Sequence, residues 1–445
     1  MNRIFPLILL VALTSASQPG VRAESVATNA VVVTPDYLGQ LAEQMRTNNP
    51  ALRSANALTD AATADADAVR TWEDPMLVVG GVAGNEAMRA DEGDVIYGLE
   101  QKLPLFGKPR LQREAAKAAL ATESASRDYQ FQKLRAELAK AAFRTALAER
   151  VVAIGEQDLA WLDTTSQQQE NNSRVGQTPL ADVLRIQNER SRRQNQLQTD
   201  RDLLTQEKVA LNRLLNRNEL TPWPTLELPA VAGAVVYDTR LVDLALKYEP
   251  KTHMQRQQTK QAEAQVAVAR RQYYPDVSAG VEVRNYSGDG TFRQEMVTLR
   301  MSVPWFNHGQ ISADVKREQA RLSAAQLELA NEQAAIREEL HLLTIKADAA
   351  RREALLYRDQ IIPRTAATLD NIRAGWQSGQ TPFREVLDTH RALLDAQLAY
   401  AQAVSEQYQA LSELVLCCGL GDLGALQMIG AEPGSAPTQT PPSKN

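Results

Sequence analysis

The sequence is poor in the residues that staple, ligate or catalyse. Its 445 residues include two cysteines, Cys417 and Cys418, adjacent in the chain. A vicinal pair supplies neither a disulfide framework nor a four-ligand zinc site, and at a helix end it reads as small apolar bulk. The four histidines, His253, His308, His341 and His390, stand too far apart for a dedicated metal cage. There is no serine nucleophile elbow, no phosphate-cradling glycine loop before a helix and no His-Glu zinc motif. No enzymatic activity, cofactor or resident metal is therefore expected. A net charge of −5 and a pI near 5.7 exclude a nucleic-acid binder that works by bulk electrostatics. After the first 25 positions no apolar run reaches the roughly 20 residues that a membrane-spanning helix needs.

Aromatic residues make up 5% of the chain, whereas Ala, Gln, Glu, Arg and Leu fill long stretches. That is the material of long helices, not of the roughly three compact domains that length alone would suggest. The N-terminus is different. One early Arg, an apolar segment from Ile4 to Leu13 and small residues before Ala23 predict a secretory signal peptide over 1–23. Its removal takes Arg3 and Arg22 away and moves the net charge from −5 to −7. No cysteine stands near Ala23 to accept a lipid. Export to the periplasm or outer membrane of a Gram-negative cell is the expectation.

The remainder is a duplication. Asn49-Pro50 returns as Glu249-Pro250, and Asp74-Pro75 as Tyr274-Pro275, both 200 residues later. Leu103-Pro104-Leu105-Phe106 returns as Val303-Pro304-Trp305-Phe306. Gly176-Gln177-Thr178-Pro179 returns as Gly379-Gln380-Thr381-Pro382, now at an offset of 203. An ordered series of matches at near-constant spacing marks two structural repeats. The expected organisation is a first repeat over 24–216, a connecting segment over 217–240, a second repeat over 241–420 and a largely disordered tail over 421–445.

Each repeat has the same internal order. A helical stretch comes first, 36–70 with Pro50 kinking it, or 241–272. Two short runs of period two follow, 75–84 and 94–104, then 275–286 and 293–304. Their apolar members include Val95, Tyr97, Leu99, Val281, Val283, Val297 and Leu299, while the alternate positions are polar or charged. Long helices come next over 109–172 and 308–375, each followed by a returning helix over 180–216 or 381–417. Phe131, Leu134, Leu138, Ala141, Thr145, Ala148 and Val152 recur in steps of three and four, as do Phe383, Leu387, His390, Leu394, Gln397, Ala401, Val404, Tyr408 and Leu411. These are coiled-coil seams.

Lengths constrain the assembly. At 1.5 Å per residue, 109–172 spans about 96 Å, while 180–216 and 241–272 span about 55 and 48 Å. One long helix can therefore run beside two shorter ones placed end to end. By the same arithmetic 36–70 and 381–417 can flank 308–375, and both termini then meet 217–240 halfway along the rod. The four strands, each of about ten residues, match tilted transmembrane strands. Four cannot close a barrel, and open edges in hydrocarbon leave backbone groups unsatisfied. Three chains would give twelve strands, an allowed barrel size, so a homotrimer is the economical solution.

These features together resemble the TolC family of outer-membrane efflux channels over about 36–420. The most specific signatures are Arg174-Val175-Gly176-Gln177-Thr178 before Asp182-Val183-Leu184, and Arg373-Ala374-Gly375 and Ser378-Gly379-Gln380-Thr381 before Glu385-Val386-Leu387-Asp388. The segment 101–108 and Tyr274-Pro275-Asp276 resemble junctions of the heavy-metal branch, the CzcC- and CusC-like members. The resemblance implies a fold that is mainly α with a membrane β-barrel portion. Four β-strands per protomer would form a trimeric 12-stranded β-barrel, above long coiled-coil helices forming an α-barrel. It implies a passive exit duct of a tripartite efflux pump for small solutes, heavy-metal cations first. The duct would lie in the outer membrane, extend into the periplasm, and act with a periplasmic adaptor and an inner-membrane transporter of the RND type.

Residue roles follow from the same resemblance. Val175, Gly176, Gln177, Thr178, Ser378, Gly379, Gln380 and Thr381 would form adaptor-docking tips. Glycine suits the tight reversals, and Pro179 and Pro382 are expected in the first turn of each returning helix. Glu385 and Asp388, three apart on one helix face, occupy the positions of the family's acidic periplasmic gate. Asp182 with Arg185 would join an inter-subunit lock. Thr381 stands where some members carry an Arg, which removes any lock built on that residue. The apolar strand residues would face outer-membrane lipid. Two other readings are a duct for drugs or for type I protein secretion and, in a different class, a periplasmic coiled-coil adaptor or scaffold without a pore.

Overall fold

The computed structural model describes residues 30–82, 93–176, 178–288 and 290–430. The expected signal peptide, residues 83–92 and Gln177 lie outside these residues.

The element order repeats. The first half runs β1 (Val31–Val32), α1 (Pro35–Asn48), α2 (Pro50–Ala68), β2 (Met76–Val82), β3 (Asp94–Leu103), α3 (Lys108–Arg174) and α4 (Leu180–Leu214). After β4 (Leu226–Glu227) the second half runs α5 (Thr239–Tyr248), α6 (Pro250–Arg271), β5 (Val277–Tyr286), β6 (Phe292–Met301), α7 (His308–Leu356), α8 (Ile362–Gln377) and α9 (Phe383–Cys417). A short α10 (Leu423–Gly430) closes the described chain.

Several expected elements break where the sequence supplies a break. The kink at Pro50 has a counterpart at Pro250, so 241–272 is two helices and not one. A proline lacks the amide that would continue the ladder, and Asn49 and Glu249 instead cap the helices that follow. The helix expected over 308–375 contains a π-turn at Tyr357–Ile361, just before Pro363. Residues 423–430 form a helix with Leu423 and Leu426 buried, which corrects the expectation of disorder for that part of the tail. Residues 431–445 lie outside the described ones.

The 67 residues of α3 make a helix of about 100 Å. It packs on both α4 and α6, as the length argument requires, and also on α2 and α9. The N-terminal helices do not flank α7 as expected. They lie on α3, and α7 packs within the chain on α6 and α9 and, to a smaller extent, on α5.

The main core sits near the middle of α3, around the fully buried Phe143. There β1 pairs in parallel with β4, with Val31 N donating to Thr225 O at 2.8 Å and Val33 N to Glu227 O at 3.0 Å. Gln407 of α9 exchanges two hydrogen bonds with the Ala232 backbone, both 3.1 Å, and the Tyr408 hydroxyl donates to Ala230 O at 2.7 Å. Both ends of the described chain thus meet the 217–240 segment halfway along the rod.

The sheet has the order β2-β3-β5-β6, all antiparallel, with β2 and β6 as its edges. Its register puts Leu77 opposite Leu99, Val79 opposite Tyr97, Tyr97 opposite Val283, Leu99 opposite Val281 and Val281 opposite Val297. These residues therefore share one face.

Candidate functional site: the sheet face and the helical tips

The sheet inverts the usual burial order. Val297 is 81% exposed, Leu299 73% and Leu77 72%, whereas Asp94 and Glu100 on the opposite face are 6% exposed. Val95, Tyr97, Leu99 and Val281 are exposed as well, and Val283 is half-buried. The sheltered carboxylates are paired. Asp94 accepts from Arg293 at 2.6 Å, Glu282 accepts from Arg300 at 2.7 Å, and Glu100 pairs with the same Arg300. Glycines permit crowding on this face. A Cβ at Gly98 would fall 2.5 Å from Val281 O, so β3 and β5 approach there only because none exists. An apolar outside with ion pairs inside is the pattern of a strand wall between hydrocarbon and a polar interior.

The opposite ends of the helices form two matched reversals. Gly176 has φ +75° and Gly379 φ +76°, the left-handed conformation that favours glycine. Gly176 N donates to Ser173 O and Gly379 N to Trp376 O, both at 3.0 Å, and Gln380 N donates to Gly375 O at 2.8 Å. Pro179 and Pro382 are not in the first helical turn. Their extended ψ of 137° and 145° makes them N-caps, one residue before each helix, whose carbonyls receive the first amides. Val175, Ser378, Gly379 and Gln380 are exposed, while Thr178 and Thr381 are half-buried.

Among the proposed gate residues, Asp182 accepts from Arg185 on its own helix at 3.0 Å. Glu385 and Asp388 share the exposed face of the first turns of α9. Asp388 lies 3.4 Å from Arg384 and 3.3 Å from Arg391. The two tips are joined by one apolar cluster containing Leu162, Ile186, Leu369, Phe383, Val386 and Leu387.

Behind the tips lies a polar cluster that sequence reasoning had not assembled. Asp158 of α3 is 7% exposed, accepts from His390 Nε2 at 2.8 Å and pairs with Arg193 Nε of α4 at 2.9 Å. The His390 ring stacks on Trp161 at 3.6 Å between centroids, and Arg391 donates to Glu189 at 2.9 Å. Gly155 makes room, since a Cβ there would meet Leu197 at 3.0 Å and Arg193 at 3.2 Å. Half of the signal was present in the sequence, because His390 interrupts the apolar seam of α9 and a buried polar group there needs a partner. The cluster ties α9, which carries Glu385 and Asp388, to α3 and α4.

Among the described residues, no group of three or more His, Cys, Asp or Glu is placed to hold a metal ion. Cys417 and Cys418 are buried free thiols. Burial pushes the Cys418 thiol up to about 12 and Cys417, beside Glu339, higher still, so neither supplies a thiolate at neutral pH. No described helix is long and apolar enough to cross a membrane.

Comparison with known proteins fits this geometry. The sequence profile of the outer membrane efflux protein family matches residues 41–217 and 241–420. The chain belongs to this family. Protein CyaE of Bordetella pertussis (strain Tohama I) is 31% identical over 185 residues, which is 40% of this chain and 39% of that relative's length. The outer-membrane channel OprN superposes with a TM-score of 0.75 at 21% identity, covering 88% of this chain and 90% of its own. CusC, described as forming a transmembrane channel, superposes with a TM-score of 0.75 at 18% identity, covering 87% and 93%. At such identities the structures establish the fold alone. Members of the outer membrane efflux protein family are transport ducts, and they work with pump partners in tripartite systems.

Proposed function

We propose that three copies of this chain form the exit duct of a tripartite efflux pump in the outer membrane of a Gram-negative bacterium. The observation that carries the proposal is the sheet. Its apolar face is exposed, its charged face is sheltered, and its two edges, β2 and β6, are free to pair with neighbouring copies. Hydrocarbon around the first face and closure through the edges satisfy both features at once. Residues 1–23 direct export. Repeats 24–216 and 241–420, joined by 217–240, supply the barrel and the periplasmic tunnel. A periplasmic adaptor docks on Val175, Gly176, Gln177, Thr178, Ser378, Gly379, Gln380 and Thr381. An inner-membrane transporter of the RND type supplies the energy.

Glu385 and Asp388 gather carboxylates at the narrow end. Their mutual repulsion is relieved by cations or by dilation, so this end acts as a cation-favouring gate, with Asp182 and Arg185 beside it. The cargo we assign is heavy-metal cations. That assignment rests on the junction residues 101–108 and 274–276, since the likeness to CusC is no greater than that to OprN.

Two measurements test the reading. Membrane fractionation should place the mature protein in the outer membrane, and its mass in mild detergent should be that of a trimer. Recovery in the soluble periplasmic fraction alone would sink the duct and favour a scaffold. A deletion strain grown across cobalt, zinc, cadmium, nickel, copper and hydrophobic drugs should be sensitive to metals and restored by the intact gene. Sensitivity to drugs alone, or to neither, removes the metal cargo and leaves the duct.

A further inference from the structure

The sheltered face of the sheet carries two tiers of ion pairs whose arrangement bears on what the duct lets through. In the tier nearer the loops, Asp94 pairs with Arg293 at 2.6 Å and with Arg284 at 3.7 Å. In the tier nearer the helices, Arg300 bridges Glu100 and Glu282, and the Ser278 hydroxyl donates to Glu100. Glu100 sits opposite Gly280 and Glu282 opposite Gly98, so the two carboxylates lie on adjacent strands two positions apart. No side chain separates them, because a Cβ at Gly98 would lie 2.5 Å from Val281 O and one at Gly280 would lie 2.9 Å from the Thr298 hydroxyl. The glutamate side chains are 8% and 10% exposed, while that of Arg300 is 51% exposed. The guanidinium therefore lies between the carboxylate pair and open space.

We propose that Arg300 is a selectivity-determining residue of the barrel lumen: it masks the Glu100–Glu282 pair and keeps the wall from favouring either sign of ion. The proposal rests on the channel reading above. Conduction requires that ions bind the wall weakly enough to leave. Two unmasked carboxylates per chain would attract cations, exclude anions and offer divalent cations a two-carboxylate resting place.

The test uses the purified full chain in planar bilayers under a potassium chloride gradient. Arg300→Gln should move the reversal potential toward that of potassium, with the potassium-to-chloride permeability ratio rising at least about threefold. The double variant E100Q/E282Q should move it toward chloride, which keeps the proposal testable if Arg300→Gln fails to assemble. The triple variant E100Q/E282Q/R300Q removes two negative charges and one positive, so its reversal potential should lie between those of the wild type and of E100Q/E282Q. Both shifts should shrink in molar salt, where the screening length is about 3 Å. Reversal potentials unchanged in both R300Q and E100Q/E282Q overturn the proposal and leave the channel standing. A triple variant shifted as far as R300Q toward potassium, or as far as E100Q/E282Q toward chloride, also overturns it, because the shift then reports pore shape and not charge. A wild-type protein that passes no ions at any voltage removes the channel reading, and the proposal with it.

Discussion

The helical rod and the sheet of this chain bury opposite kinds of side chain. In the rod, Met45, Phe143, Leu211, Leu241 and Leu340 are fully buried, and most charge lies outside. In the sheet, Leu77, Val297 and Leu299 are outside, and Asp94, Glu100 and Glu282 are within. One polypeptide in one solvent cannot favour both arrangements, since each apolar side chain left in water forgoes about 1.5–3 kcal/mol. The difference is what the duct proposed above requires, with water around the rod and hydrocarbon against the sheet's outer face.

The rod also buries some charged side chains, and among these Asp158 is held by both Arg193 and His390. Asp158→Ala should therefore have the largest effect. It leaves the Arg193 guanidinium, 11% exposed, and His390 Nε2 without their acceptor. A loss of about 3–5 kcal/mol is expected, read as a lowered unfolding midpoint in detergent. Asp128→Ala removes an exposed partner of Arg127 and should cost no more than about 1 kcal/mol. Equal effects would show that the cluster behind the tips is not tightly packed.

The next test reverses the comparison in the sheet. Val297→Arg places a charge on the most exposed apolar position of β6. In water such a change is nearly neutral, whereas facing the middle of a bilayer it should cost about 2–4 kcal/mol. Folding into lipid vesicles, followed by the heat stability of the assembled form, distinguishes the two. Gln326→Arg, on the exposed side of α7, should stay within about 0.5 kcal/mol by the same assay.

The sequence disclosed what is periodic. Steps of three and four located the long helices, alternation located the strands and their common face, and the doubled Gly-Gln-Thr-Pro turns located the reversals. Each of these signals is local, because a residue's face is fixed by its spacing. The rest depends on residues brought together from afar. Asp158 and His390 are 232 positions apart, and the helices that hold them meet only in the folded chain. The pairing of β1 with β4 involves two residues on each side, too few to show alternation. Pro179 and Pro382 fit either the cap or the first turn by residue type, and only ψ separates these. The second break, at Pro250, was readable as the partner of Pro50, but the length arithmetic had no need of it.

That second break supports the smallest prediction, which compares the two repeats directly. The caps have almost the same backbone, with ψ 125° at both Asn49 and Glu249, and both are buried. Asn49 Oδ1 accepts from Ala51 N at 2.9 Å and its Nδ2 donates to Leu214 O at 2.8 Å. Glu249 accepts from both the backbone and the hydroxyl of Thr252. One cap is neutral and the other titrates. Burial pushes the Glu249 carboxyl above its ordinary range, and nearby Glu332 adds to this, while the Thr252 hydrogen bonds and Lys251 oppose it. A carboxyl raised in the folded state holds its proton longer there than in the unfolded chain. Its stabilising contribution is therefore complete below the ordinary carboxylate pKa of about 4.3 and is lost as pH rises through the folded value. Asn49→Ala should cost about 1–2 kcal/mol with no dependence on pH, as an uncharged cap predicts. Glu249→Gln should instead gain on the wild type as pH rises above the ordinary carboxylate range, measured as the difference in unfolding midpoint across pH 4 to 8. A constant difference across that range would mean that the carboxylate at the second kink is as well solvated as one on the surface.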